Sequence, residues 1–203
     1  MSAGSLSTSP PRWNYAQVRE ISEKFLQKHH PNLKLPIPIE EIVEINLGIN
    51  LDTVPRLKEE FDIDGFIHSN FQAITIDDYI FNTFEERARF TVAHEIGHAV
   101  LHKNIYEQFN IKTKEDYRKF QNSVPDLDQK WLEIQANTFA GCLLVPSKPL
   151  KEAVKDIIDN GAPIEVDYSL PVFQELLGLF NVSGQVMLIR LQREGIVKNT
   201  PRY

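Results

Sequence analysis

The sequence predicts a single α+β domain, mostly helical, with a small sheet of about three strands packed on one central helix and a helical pair at the C-terminal end. Three observations carry this. Apolar residues recur every three to four positions through most of the chain, short runs rich in β-branched residues lie before its middle, and the composition is that of an ordinary globular protein. Of the 203 residues, 42% are hydrophobic and 25% charged. A chain of this length buries roughly 70% of its unfolded surface as one domain, so a bound metal is expected to be functional and not a staple for folding. Lys plus Arg number 22 against 28 Asp plus Glu, a net charge of −6, which gives no whole-chain attraction for phosphate backbones or anionic lipid. The lone cysteine, Cys142, has no intrachain partner, and no apolar run approaches the roughly 20 residues of a membrane span. Met1 to Pro11 is Ser/Pro-rich and lacks the positive flank and apolar stretch of a signal peptide. The expectation is a reduced, cytoplasmic protein with a disordered leader over residues 1–12 and one domain over residues 13–203.

The elements follow in order. Trp13 to His29 places Tyr15, Val18, Ile21, Phe25 and Leu26 at helical spacing and stops near Pro31. Ile39 to Leu47 is a short helical pattern ended at Gly48, and Ile49 to Val54 a brief strand closed by Pro55. Gly65 to His68 and Gln72 to Ile76 are expected to pair around Ser69-Asn70 in an antiparallel sheet, with Ile74 and Ile76 on one face and Ala73 and Thr75 on the other. Thr83, followed by Glu85 and Glu86, starts a long helix through about His102. Lys103 to Gln129 is polar with scattered aromatics, and is either short helices or a mobile lid. Asp128 to Val145 is helical again, Ser147-Lys148-Pro149 opens a helix ending near Asn160-Gly161, and residues 170–193 form the terminal helical pair.

The sharpest signal is His94-Glu95-Ile96-Gly97-His98. Residues four apart share a helical face about 6 Å apart, so two imidazoles can converge on one ion with Glu95 beside it, a chemistry that suits zinc. A hydrolytic site needs a third protein ligand and an open fourth position for water. His102 is unsuitable, because about 12 Å of straight helix separates it from His94. The metzincin spacing would need glycine at position 101 and histidine at position 104, where the chain has Leu101 and Asn104. Glu133, on the next strong helix, is the remaining choice. Asn137, four residues on, is placed to bond the free nitrogen of a metal-bound imidazole. Arg87 and Arg89 read as anchors of the helix. No oxyanion donor is assignable among Tyr79, His68, His102 and Tyr106.

Arg89-Phe90-Thr91-Val92-Ala93-His94-Glu95-Ile96-Gly97-His98-Ala99-Val100-Leu101-His102, followed by Glu133-Ile134-Gln135-Ala136-Asn137-Thr138-Phe139-Ala140 and Leu143-Leu144-Val145-Pro146, resembles the ImmA/IrrE family of bacterial metallopeptidases. Gln135 stands where many members carry another acidic residue, and Cys142 and Val145 also depart from the common pattern. The resemblance implies a zincin-like domain in which His94, His98 and Glu133 bind zinc and Glu95 is catalytic. It further implies an endopeptidase acting on a cytoplasmic protein, a helix-turn-helix transcriptional repressor of mobile-element or stress genes. Two other readings compete: a catalytically weak zinc-fold sensor, and a DNA-binding protein whose helix-turn-helix would be Leu176 to Leu191. Few cations serve the second, chiefly Arg190, Arg193 and Lys198, and Glu194 offsets one.

Overall fold

The computed structural model describes residues 9–155 and 171–197. The first helix, α1 (Tyr15–His29), begins two residues later than its apolar pattern, because Asn14 accepts from the Gln17 backbone N–H and the Gln17 side chain returns the bond to Asn14. Ile39–Glu41 (α2) runs into a π-helical segment, Ile42–Asn46. The strand β1 (Asn50–Val54) is followed by a short helix, α3 (Leu57–Phe61), and by the strands β2 (Gly65–Ile67) and β3 (Ala73–Asp77).

The sheet has the order β1-β3-β2 and is mixed, which corrects the expected antiparallel arrangement. β2 pairs antiparallel with β3 across a short turn, whereas β1 pairs parallel with β3, from Asn50 opposite Ala73 to Val54 opposite Asp77. The intervening chain, including α3 and β2, is long enough for the crossover a parallel pair requires. All five residues of β3 are buried, so its two sides do not divide into core and solvent faces.

Asp77 then ends the sheet and starts a short helix to which the sequence pattern assigns no element. Its carboxylate accepts from the backbone N–H of Ile80, capping α4 (Asp78–Thr83), and from that of Lys58 in α3. The central helix α5 (Glu85–Leu101) therefore starts after Phe84 and not at Thr83. Arg87 clamps Asp64 at 2.6 and 2.8 Å. Arg89, almost fully buried, donates to the Ile37 carbonyl at 2.7 Å, to the Asn181 carbonyl at 3.3 Å and to Glu40 at 3.3 Å, tying α5 to the segments before and after it in the chain.

Lys103 to Gln129 resolves into short helices, α6 (Lys103–Tyr106) and α7 (Lys114–Ser123), before α8 (Asp126–Leu144) begins. Its aromatics are core residues: Tyr106 and Phe120 lie 4.9 Å apart, Tyr117 and Phe120 5.9 Å, and Tyr117 stacks on Phe66 of β2 at 5.3 Å. Polarity in this stretch marks the outward faces of α6 and α7, whose buried sides are Ile105, Tyr106, Tyr117 and Phe120.

Beyond α8 lie α9 (Ser147–Ala153), α10 (Pro171–Phe180) and α11 (Gly184–Arg193). α9 ends at Ala153, with Val154 as its C-cap, which corrects the expected end near Asn160-Gly161; residues 156–170 and residues 1–8 of the leader lie outside the described residues. Within residues 9–12, Pro10 is buried and Arg12 pairs with Asp128 at 2.6 Å and covers the Trp131 ring, so this part of the leader lies on α8. Arg190 of α11 is buried and bonds the Val145 carbonyl, the Tyr15 hydroxyl, Ser147 and Glu194. Burial opposes ionisation of Glu194, yet bonds from Ser147 and Lys151 and the Arg190 charge hold its pKa at about 2. Among the described residues no single helix is long and apolar enough to cross a membrane.

The two long helices α5 and α8 pack backbone to backbone. A methyl group at Gly97 would come within 3.1 Å of the Ala136 Cα and 3.2 Å of its carbonyl oxygen, both backbone atoms that cannot swing aside. Gly97→Val is therefore expected to cost on the order of 1–3 kcal/mol by overpacking. Gly97→Ala should cost less, since helix propensity returns about 0.5–1 kcal/mol. Urea denaturation checks both, and a valine variant as stable as the parent would contradict the close approach.

Candidate metal centre

The α5–α8 contact determines which side chains meet. His94 and His98 leave α5 one turn apart, and Glu133 reaches them from α8. The two Nε2 atoms are 2.9 Å apart, His94 Nε2 lies 3.3 Å from one Glu133 oxygen, and His98 Nε2 lies 3.5 Å from the other. The three residues form a group whose ligand atoms all lie within 4.8 Å of one another. Four donors around a tetrahedral ion at about 2.0–2.1 Å are separated by about 3.3 Å, so these residues fit a metal with three protein ligands and a fourth open position. His102 is not part of the group, as its distance along the helix requires.

The orientation of His94 is set from outside the group. Its Nδ1 lies 3.0 Å from Asn137 Oδ1, and since an amide oxygen accepts, Nδ1 carries a hydrogen and Nε2, turned toward His98 and Glu133, is the nitrogen that would give up its proton to a metal. His98 is fully buried, with the ring of Tyr106 behind it at 5.2 Å, whereas the His94 side chain is 13% and that of Glu133 40% exposed. The centre thus has a closed back and an open front. The front is a cleft of about 370 Å³ walled by Gly65, His94, Glu95, Tyr117, Glu133 and Asn137 among others.

Glu95 is 2% exposed, and its Oε2 accepts from the backbone N–H of Ile67 at 2.8 Å. β2 is at the edge of the sheet. Asp64 and His68 bond inward to β3, so by alternation Gly65 and Ile67 direct their backbone groups outward, toward α5 and the cleft. Burial pushes the Glu95 carboxyl up, against the neighbouring histidines. Burial also disfavours a charged His94, but the Glu133 hydrogen bond and the charges of Glu95 and Glu133 outweigh it and raise its pKa to about 9. Glu133 in turn is desolvated, yet its bonds to His94 and His98 hold it well below the usual carboxylate range. This is a site with a strong preference for positive charge between its imidazoles and its carboxylates.

Of the four hydroxyl and imidazole donors considered from the sequence, none walls the cleft. Tyr79 is 65% exposed on α4, His68 bonds Thr75, and His102 and Tyr106 lie behind His98. The donor that does face the cleft is Tyr117 of α7, together with Gln121 one turn on. Sequence spacing held no signal for it, because nothing local says which side of α7 meets β2.

A family profile, the IrrE N-terminal-like domain of a peptidase family, matches residues 81–192, more than half of the chain, with His94, Glu95, His98, Tyr117, Glu133 and Asn137 inside the match. The chain belongs to this metallopeptidase family. No curated protein gives a significant match. Among solved structures, the IrrE-like chain is similar to one named Mycobacterium tuberculosis transcriptional regulator, with a TM-score of 0.55, 14% identity and coverage of 92% of this chain. At that identity the likeness concerns the fold, and the IrrE-like chain spans 48% of the regulator's length.

Close approach of β2 to α5 is needed for the Ile67–Glu95 bond, and Gly65 permits it. A methyl group there would sit 2.8 Å from Thr91 Cγ2 and 2.9 Å from the Thr75 carbonyl oxygen. Gly65→Ala is expected to destabilise by on the order of 1–3 kcal/mol, read from chemical denaturation. A change below about 0.5 kcal/mol, the size of an ordinary surface substitution, would show that β2 is not pressed on α5.

Proposed function

We propose that this protein is a zinc-dependent endopeptidase that cuts a cytoplasmic protein, a helix-turn-helix transcriptional repressor of mobile-element or stress genes. The observation that carries the proposal is the convergence of His94, His98 and Glu133 at the inner end of a cleft that His94, Glu133 and the buried carboxylate of Glu95 wall. In this reading the first three hold the ion and Asn137 orients His94. When bound, zinc supplies a polarised carbonyl and a water whose pKa is lowered toward about 7. Zinc is favoured by the mixed nitrogen and oxygen donors and the three-ligand count.

Glu95 is the general base. Ile67 holds one of its oxygens, so the other takes the proton from water as the water oxygen bonds to the scissile carbonyl carbon. The carbonyl electron pair moves onto its oxygen, and Tyr117 donates a hydrogen bond to that oxyanion without giving up its proton. Collapse breaks the C–N bond, and the leaving amine takes the proton from Glu95. Substrate is held extended, its backbone pairing with the outward groups of Gly65 at the edge of β2.

The repressor and the cytoplasm enter from the resemblance to ImmA/IrrE peptidases, and a similar fold in a protein named a transcriptional regulator is compatible with that setting. A DNA-binding role for α10 and α11 is disfavoured, because Arg190, the central cation of that pair, is occupied by Val145, Tyr15, Ser147 and Glu194. A sensor with little turnover would have no use for a base held as Glu95 is held.

Zinc-loaded protein is expected to cut the repressor encoded beside its gene and to leave casein intact. Glu95→Gln should retain zinc and lose roughly 10²–10⁴-fold in rate. Rapid casein digestion with the repressor untouched, or normal cleavage by Glu95→Gln, would contradict the proposal. Tyr117→Phe should lower kcat by on the order of 10²–10³ with KM little changed, as expected for loss of a donor that acts only on the oxyanion. An unchanged kcat would remove Tyr117 from the mechanism.

A further inference from the structure

Behind the closed side of the centre, a line of polar groups runs from His98 to the segment before α1. His98 Nδ1 is 3.1 Å from His102 Nδ1, His102 Nε2 is 3.4 Å from Gln135 Oε1, and Gln135 Nε2 donates to the Pro11 carbonyl at 2.9 Å. His98, His102 and Gln135 are each 0–1% exposed, so water does not substitute for any partner in this line. Neither His102 nor Gln135 touches the cleft, and the proposed reaction uses neither. A buried polar chain of this kind costs free energy unless every member is satisfied, and here every member is.

We infer that His102 and Gln135, anchored on the Pro11 carbonyl, are positioning residues that fix the tautomer of His98 and thereby present its Nε2 lone pair to the metal. The direction of each bond follows from the far end. A carbonyl oxygen only accepts, so the Gln135 amide must turn its NH₂ toward Pro11 and its oxygen toward His102. That oxygen also only accepts, so the hydrogen of His102 sits on Nε2 and its Nδ1 is the acceptor. The facing Nδ1 of His98 must then carry a hydrogen, which leaves its Nε2 bare, 2.9 Å from His94 Nε2 and 3.5 Å from Glu133. Asn137 does the same for His94 in one step. Both ligand lone pairs are therefore aimed by amides of α8, one directly and one through His102.

The line also gives residues 9–12 a role. Arg12 holds this segment on α8 through Asp128 and Trp131, and Pro11 lacks an N–H, so only its carbonyl can meet Gln135. Were the Gln135 amide free to rotate, His102 could take the other tautomer and donate from its Nδ1 to His98 Nδ1, which would put the hydrogen of His98 on the Nε2 that faces the metal site.

The inference rests on the metal-site reading above, and the test separates the two. Zinc affinity is measured on the full chain by competition with a chromophoric chelator, and the tautomer of His98 by long-range ¹H–¹⁵N spectra of the metal-free protein. His102→Phe keeps the ring shape without the acceptor and is expected to lower zinc affinity 10- to 100-fold. His102→Asn, whose side-chain oxygen stands in for the imidazole Nδ1, should recover most of that loss, and Gln135→Leu should behave like the phenylalanine variant. Thermal unfolding of the metal-free variants reports whether each is folded. Parental affinity in His102→Phe, no difference between phenylalanine and asparagine, or an Nε2–H tautomer at His98 in the parent would overturn the inference. If the parent takes up no zinc, the metal-site reading fails, and the His98 spectrum still decides the tautomer.

Discussion

The close packing of α8 on α5 is the constraint on which the rest of the molecule depends. Gly97 and Ala136 let the two backbones approach until a single methyl group would be in contact, and that approach brings Glu133 across to His94 and His98. Separated by even an ångström or two more, the carboxylate would reach neither imidazole and Asn137 would not bond His94. Packing inside proteins is dense enough that such a spacing is specified, since core side chains have few alternative arrangements. The remaining elements brace this pair. α1 lies against α8, with Phe25 edge-on to Phe139, and Arg89 ties α5 to the segments flanking it.

Chemistry arises where this brace is asymmetric. On the inner side His98, His102 and Gln135 are sealed from water, so their hydrogen bonds act at low dielectric and fix geometry firmly. On the outer side His94 and Glu133 remain accessible, leaving room for water and for a substrate backbone. The sheet supplies the third component. Because β2 is an edge strand, the Ile67 N–H has no strand partner and is available to hold Glu95. In the function proposed, a carboxylate kept in place by a backbone amide, beside a group that attracts positive charge, transfers a proton without reorganisation at the moment of reaction.

Much of this was legible in the sequence, and what was legible shares a cause. The helical period located α1, α5, α8 and the terminal pair and set His102 apart from His94, because four-residue spacings are local facts, whereas Glu133 was chosen as a candidate on a second helix with support from the family resemblance. The helix α4 was missed because it is only six residues long and its cap, Asp77, also serves the distant Lys58. The parallel pairing of β1 with β3 was missed because a strand's direction relative to its neighbour is not written in its own residues. Tyr117 was missed for the same reason, since its place in the cleft comes from stacking on Phe66 across the fold. Local chemistry was readable and juxtaposition was not, except where a spaced motif encoded it.

The account stands on three side chains from two helices sharing one ion, and X-ray absorption spectroscopy of the zinc-loaded protein tests this most directly. The expected spectrum has only nitrogen and oxygen neighbours at about 2.0–2.1 Å, with outer-shell scattering from two imidazoles and no sulfur. Glu133→Gln should change the inner shell while leaving both imidazoles in place. Scattering from three imidazoles, from one, or from sulfur would contradict the assignment of His94, His98 and Glu133 as the metal-binding set.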